Sequence, residues 1–146
     1  MTGVQTCALP ILLIMEFVYG PLRGQPPIGF AQLYDSNSGT FAFSGSPFMG
    51  AGRWRHTATL RNDGEVLVAG GGLVTLSQEG QLVPPPVVVT ASAELFDPVG
   101  GTFLPTDDMV FAREYHTATL LNNGDVLISG WRDAGGNTLA AAELYH

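Results

Sequence analysis

Arg53-Trp-Arg-His-Thr-Ala-Thr-Leu-Arg-Asn-Asp-Gly-Glu-Val-Leu-Val-Ala-Gly70 returns, without a gap, as Arg113-Glu-Tyr-His-Thr-Ala-Thr-Leu-Leu-Asn-Asn-Gly-Asp-Val-Leu-Ile-Ser-Gly130, 60 residues later. The run His-Thr-Ala-Thr-Leu is identical in both copies. His56 to Leu60 alternates small and β-branched residues, which predicts a strand. Asn62-Asp63-Gly64 then supplies the positive φ that a tight hairpin turn needs. Val66 to Ala69 is apolar at every position, as expected of a strand covered on both faces, and Gly70-Gly71-Gly72 ends it. The second copy repeats the scheme with Asn123-Gly124 at the turn and Leu127-Ile128 in the strand.

A second signature lies beside the first. Ala31-Gln-Leu-Tyr-Asp-Ser-Asn-Ser-Gly-Thr-Phe41 returns as Ala93-Glu-Leu-Phe-Asp-Pro-Val-Gly-Gly-Thr-Phe103 and begins again at Ala142-Glu-Leu-Tyr-His146. Ala93 to Asp97 reads as a third strand ended by Pro98, and Gly100-Gly101 turns the chain into a fourth around Thr102 to Leu104. An aromatic pair keeps a spacing of seven, Tyr34 to Phe41 and Phe96 to Phe103. Four antiparallel strands with two tight turns and two longer links describe one propeller blade. Units of this kind bury their apolar faces against neighbours rather than within themselves.

The spacings agree. Ala31 to Ala93 is 62 residues and Ala93 to Ala142 is 49, and the strands and tight turns contribute nothing to the difference. All of it falls in the links after strands two and four. Alternate connections of an up-and-down sheet lie at opposite ends, so the two variable links share one end, where recognition is commonly built on a rigid scaffold. The longest link, Gly72 to Ser92, is expected to add a small hairpin, with Leu73 to Ser77 and Gln81 to Val83 flanking Glu79-Gly80. Pro84, Pro85 and Pro86 then force an extended stretch.

Composition narrows the function classes. Charged residues make up 13% and mean hydropathy is +0.20, too apolar for a disordered chain. A net charge of −7 argues against nucleic acid as a partner, which needs a basic footprint. All six basic residues are arginine. The longest aliphatic run, Ile11 to Met15, is too short to span a membrane, and no positive charge precedes Arg23 to suggest a secretory leader. Residues 1–11 resemble the in-frame translation of a common short-read library adapter and are expected to be an artefact. Cys7, the only cysteine, falls within them. Residues 12–30 then form a degenerate lead-in, with a possible strand at Phe17 to Gly20, and residues 31–146 the repeat region. The third copy stops in mid-motif at His146, so the remaining blades are expected to be missing from this sequence.

These residues resemble Kelch repeats, particularly the bacterial type grouped with the galactose oxidase-like propellers. The match is a hydrophobic strand ending in Gly70-Gly71, the aromatic pair seven apart, and an arginine three residues before a histidine. It covers Ala31 to His146 and implies an all-β, incomplete β-propeller, with one full blade from about Arg55 to Leu104 and partial blades on each side. Two departures stand out: the double glycine becomes Gly130-Trp131, and the tryptophan expected of strand four is Phe41 or Phe103. The resemblance also implies export, to the extracellular space or cell surface.

Candidate chemistry is sparse. His56 and His116, and likewise Arg53 and Arg113, recur at single positions of the repeat, which favours structural duty over acid–base work or anion binding. Asp107-Asp108 lacks the further spaced acids of a calcium loop. No catalytic triad order, metalloprotease, P-loop or dinucleotide motif is present. The copper-radical chemistry of galactose oxidase needs a thioether-linked Cys–Tyr pair with histidine ligands, and nothing outside the first eleven residues offers the cysteine. No catalytic, metal or cofactor residue is therefore expected. Trp54, Arg55, Tyr115, Trp131 and Arg132 fall on or beside the long-link end, and aromatics with arginine make frequent interface anchors. They point to a non-catalytic scaffold that binds a protein or carbohydrate. The alternative is the propeller of a larger secreted enzyme whose catalytic residues lie elsewhere.

Overall fold

The computed structural model describes residues 14–18, 28–35, 38–48, 52–73, 88–130, 132–133, 135–138 and 140–146. These are all-β, with no helix among the described residues. The full blade contains β5 (Thr57–Leu60), β6 (Val66–Ala69), β9 (Ala93–Asp97) and β10 (Thr102–Pro105), antiparallel in the spatial order β10-β9-β6-β5. Before it stands a three-stranded sheet of β1 (Ile14–Val18), β2 (Ile28–Asp35) and β3 (Thr40–Phe48). After it stands another, of β11 (Thr117–Leu120), β12 (Val126–Ser129) and β13 (Ala142–Tyr145). By sequence equivalence the first carries strands two to four of a blade and the last carries strands one to three. The architecture is that of an incomplete β-propeller.

The turn chemistry explains the hairpins. Gly64 donates its amide to the Arg61 carbonyl at 3.1 Å and has φ +92°, while the Asp63 carboxylate accepts the Glu65 amide at 3.0 Å. The later copy repeats this with Gly124 to Leu121 at 3.0 Å, φ +96°, and the Asn123 side chain accepting the Asp125 amide at 3.2 Å. A type I turn closed by a left-handed glycine is a standard hairpin connection. The turn sets the register: Leu60 opposes Val66, and Leu120 opposes Val126. The seven-residue aromatic spacing places Phe96 directly opposite Phe103 and Tyr34 opposite Phe41, with ring centroids 4.8 Å and 5.0 Å apart.

The core explains why β6 is apolar throughout. Val66 and Val68 pack with Phe96, Phe103 and Leu33 toward the preceding sheet. Leu67 and Ala69 pack with Ala93, Met109, Val126 and Ile128 toward the following one. Successive side chains leave a strand on opposite faces, so one strand seals two interfaces. Phe96, fully buried, contributes about 2–3 kcal/mol of transfer free energy to the first of these.

The lead-in and the long link add detail. The first strand lies at Ile14–Val18, so Phe17 and Val18 are the part of the expected Phe17 to Gly20 strand that falls within it. Residues 1–13 lie outside the described residues, as do residues 74–87, which hold the expected hairpin centred on Glu79-Gly80 and the three prolines. The roots of that link pair in a small sheet: β4 (Arg53–Trp54), β7 (Gly72–Leu73) and β8 (Val88–Val89), in the order β4-β7-β8. The glycine run therefore ends one strand and at Gly72 starts another. No helix of the described residues is long and apolar enough to cross a membrane.

Candidate functional site at the long-link end

The registers place both tight turns of the full blade at one end and both long links at the other, since Thr57, Ala69 and Ala93 share a level and Pro105, opposite Glu94, stands one residue from it. Two arginines pin this second end. Arg53, 2% exposed, donates to the Ser92 carbonyl at 2.7 Å and the Gly70 carbonyl at 3.3 Å, and pairs with Glu94 at 3.1 Å. Arg113, 0% exposed, donates to the Ala141 carbonyl at 3.0 Å and the Gly130 carbonyl at 2.9 Å, and pairs with Glu143 at 2.7 Å. The planar guanidinium fork suits this work, because one rigid group reaches a carboxylate and two carbonyls together. Burial pushes the Arg53 guanidinium below its usual pKa, and Glu94 opposes the shift.

The repeat histidines sit just inside this layer. His116 Nε2 and Thr57 Oγ1 are hydrogen-bonded at 2.8 Å, joining the following blade to the full one. Burial, and then the neighbouring Arg53 guanidinium, lower the His56 pKa to about 4, with the Arg53 backbone opposing. His116 also falls to about 4, from burial first, then Arg113, then His56. Both are neutral at physiological pH. The Nδ1 atoms of both are buried without a hydrogen bond of ordinary geometry among the described residues, an environment that penalises an added proton.

Outside the histidines lies a layered cluster. The Arg55 guanidinium carbon is 4.0 Å from the Trp54 ring centroid and 4.5 Å from that of Tyr115. The same guanidinium donates to both Glu114 carboxylate oxygens, at 3.1 Å and 3.3 Å. The Tyr115 amide donates to the Arg55 carbonyl at 3.1 Å, and Glu114 exchanges backbone hydrogen bonds with Arg132 at 3.2 Å and 3.4 Å. Tyr115 is 51% exposed and Arg132 is exposed, whereas Trp54 and Arg55 are half-buried. Of the five residues marked by sequence, four are thus brought to one end, and Trp131 lies outside the described residues.

Gly71 is fixed by close approach: a Cβ there would stand 3.0 Å from the His56 amide nitrogen and closer still to the Trp54 carbonyl, at φ +91°. Gly130 keeps the left-handed conformation of Gly70, φ +71° against +63°, although a Cβ on Gly130 meets open space and one on Gly70 would meet the Arg113 carbonyl at 2.6 Å. The partners Glu94, Glu143, Glu114 and Thr57 were not singled out by sequence. A signal existed for two of them. Ala-Glu-Leu recurs at 93–95 and 142–144 just as the arginine recurs at 53 and 113, and two repeated opposite charges in an apolar chain call for each other.

Neither a protein-family model nor a curated protein sequence matches the chain. Among solved structures it is similar to that of YjhT, with a TM-score of 0.56 at 21% identity, covering 80% of this chain and 34% of that one. It is also similar to a fungal alcohol oxidase of the AA5 family in complex with copper, with a TM-score of 0.58 at 17% identity, covering 94% of this chain and 28% of that one. The chain thus spans about a third or less of the length of these structures. At such identities the likeness shows the fold alone, that of a β-propeller. The described residues do not fit a copper centre: no three His, Cys, Asp or Glu side chains are grouped to hold a metal ion, and each repeat histidine lies beside a guanidinium that repels a cation.

Proposed function

We propose that the chain is part of a Kelch-type propeller that binds a protein or carbohydrate partner through its long-link end. The observation that supports this reading is that exposed Tyr115 stacks on the Arg55 guanidinium, which is paired with Glu114, while exposed Arg132 is held to Glu114 by backbone hydrogen bonds, on a link anchored by fully buried Arg113. A half-exposed aromatic on a rigid backbone, with an arginine beside it, suits stacking on a sugar ring or anchoring in a protein pocket. The opposite end presents short turns with few side chains.

A second reading has one observation behind it. The likeness to the AA5 alcohol oxidase covers 94% of this chain but 28% of that one, so the chain corresponds to one section of a longer enzyme. In that reading this section is scaffold, and the catalytic residues of a larger secreted galactose oxidase-like or carbohydrate-active enzyme lie elsewhere.

Labelled protein probed against an oligosaccharide array tests the carbohydrate half of the leading reading. Wild type and Asn62→Ala should bind alike, while Tyr115→Ala or Arg132→Ala should weaken binding by about 1–3 kcal/mol at a true hot spot without unfolding. Loss of signal in Asn62→Ala at unchanged stability, with Tyr115→Ala binding normally, places recognition at the wrong end and defeats the proposal. Silence of wild type across the array removes carbohydrate and leaves a protein partner.

A further inference from the structure

The strand that starts each blade is identical in the two copies, His-Thr-Ala-Thr-Leu at 56–60 and at 116–120. Such likeness creates a problem of neighbour choice, because near-identical faces accept one another in several orders and repeat arrays fail by misdocking. The two residues between the repeat arginine and the repeat histidine do differ: Trp54-Arg55 in one copy and Glu114-Tyr115 in the other. They are also the residues that meet across the seam, through the guanidinium stacked on both rings and paired with both Glu114 oxygens.

The backbone adds an independent observation. Arg55 and Tyr115 have φ of 58° and 56°, a left-handed conformation that costs a side-chain-bearing residue and costs glycine nothing. They are the two non-glycine positive-φ residues among those described, and they occupy the same place in the repeat. The conformation comes from the path of the link, since it recurs with two unrelated side chains. Glycine would relieve it, yet neither copy uses glycine. The side chains are kept for what they touch.

We propose that this dipeptide is a neighbour-recognition element between blades. The positive, aromatic-flanked Arg55 accepts the blade that carries Glu114-Tyr115, and a blade with a like charge at the same place is refused by repulsion across the half-buried seam. The partner it fits is an adjacent blade of the same kind, so the proposal stands apart from any ligand at the long-link end.

The full chain carrying Arg55→Glu, Glu114→Arg, or both, tests it through urea midpoints and sedimentation. Each single change should lower the midpoint and raise the fraction of associated protein. The double change should melt above the midpoint obtained by adding the two single losses, because the reversed pair attracts again. A double variant at or below the added losses overturns the proposal. Two milder changes keep the test decisive if a charge reversal prevents folding. Arg55→Gly relieves the backbone but removes the side chain, and should still melt below wild type, with Arg55→Lys between the two. Arg55→Gly as stable as wild type, or Arg55→Lys no better than Arg55→Gly, also overturns it.

Discussion

Replacing Arg113 by alanine removes the largest fully buried side chain among the described residues. It strands the Gly130 and Ala141 carbonyls and leaves the Glu143 carboxylate, 11% exposed, without its 2.7 Å partner. Breaking a buried ion pair by deleting one member costs about 3–5 kcal/mol, because the other charge stays desolvated. Unmade hydrogen bonds at two part-buried carbonyls cost at most about 1–3 kcal/mol each in isolation, and these terms overlap and do not add. A loss of about 4 kcal/mol is the working expectation, a large share of the 5–15 kcal/mol typical of a folded domain. With a urea dependence of about 2 kcal/mol per molar, that moves the midpoint down by about 2 M. The partly exposed Arg61 provides the control: it pairs with Asp63 at 3.5 Å and Glu65 at 3.7 Å, and Arg61→Ala should cost less than about 1 kcal/mol. Replacing Arg113 and Glu143 together by Met and Leu should recover much of the loss, since no lone charge then remains buried. Urea titrations of the four proteins decide the matter. If Arg113→Ala costs no more than Arg61→Ala, the arginine does not pin the link and this account of the repeat is wrong.

Stability should fall as pH drops from about 6.5 to about 4, because His56 and His116 have folded pKa values of about 4 against an ordinary value of 6.5, and the unfolded chain takes up protons first. The stability they support is fully present above pH 6.5, and the slope reaches at most about 1.4 kcal/mol per pH unit for each; thermal melts flat across that window in wild type would refute the buried, neutral assignment. Gly71→Ala should be far more damaging than Gly124→Ala, since a Cβ at Gly71 collides with the backbone of Trp54 while one at Gly124 lies 3.7 Å from the Asn62 side chain. The latter should cost about 1 kcal/mol from its positive φ alone, and equal midpoints for the two would contradict the close approach. Purified protein should self-associate, given the β13 edge and exposed Leu104 and Leu144, 52% and 49% accessible; a monomer in sedimentation with a sharp melt would count against an open array.

The blade was legible in the sequence because local signals fixed it. The Asn-Asp-Gly turn, the seven-residue aromatic spacing and the unbroken Val66–Ala69 run each determine a neighbour within a few residues, and the strands form where those signals put them. What did not show was contact between repeats. The Arg55–Glu114 pair joins residues 59 apart, and the His116–Thr57 hydrogen bond spans the same separation. No periodicity within one blade announces such partners, because blade-to-blade packing decides them. The left-handed backbone at Arg55 and Tyr115 was equally hidden, since propensity assigns that conformation to glycine or asparagine. Glu94 and Glu143 were readable in principle from the recurring Ala-Glu-Leu, but only by reading two repeated motifs as partners across 41 and 30 residues.

Amide hydrogen exchange, resolved strand by strand, tests the propeller arrangement most directly. β6 and β12 are each paired on both sides, and β6 is buried at every position, so their amides should exchange slowest. The turn-tip residues 62–63 and 122–123 should exchange fast, and β10 and β13, at sheet edges, should lie between. Protection that peaks in β6 and β12 together is the result expected of stacked blades. Exchange in β6 as fast as in those turns, or slow exchange confined to β10 and β13, would contradict the arrangement.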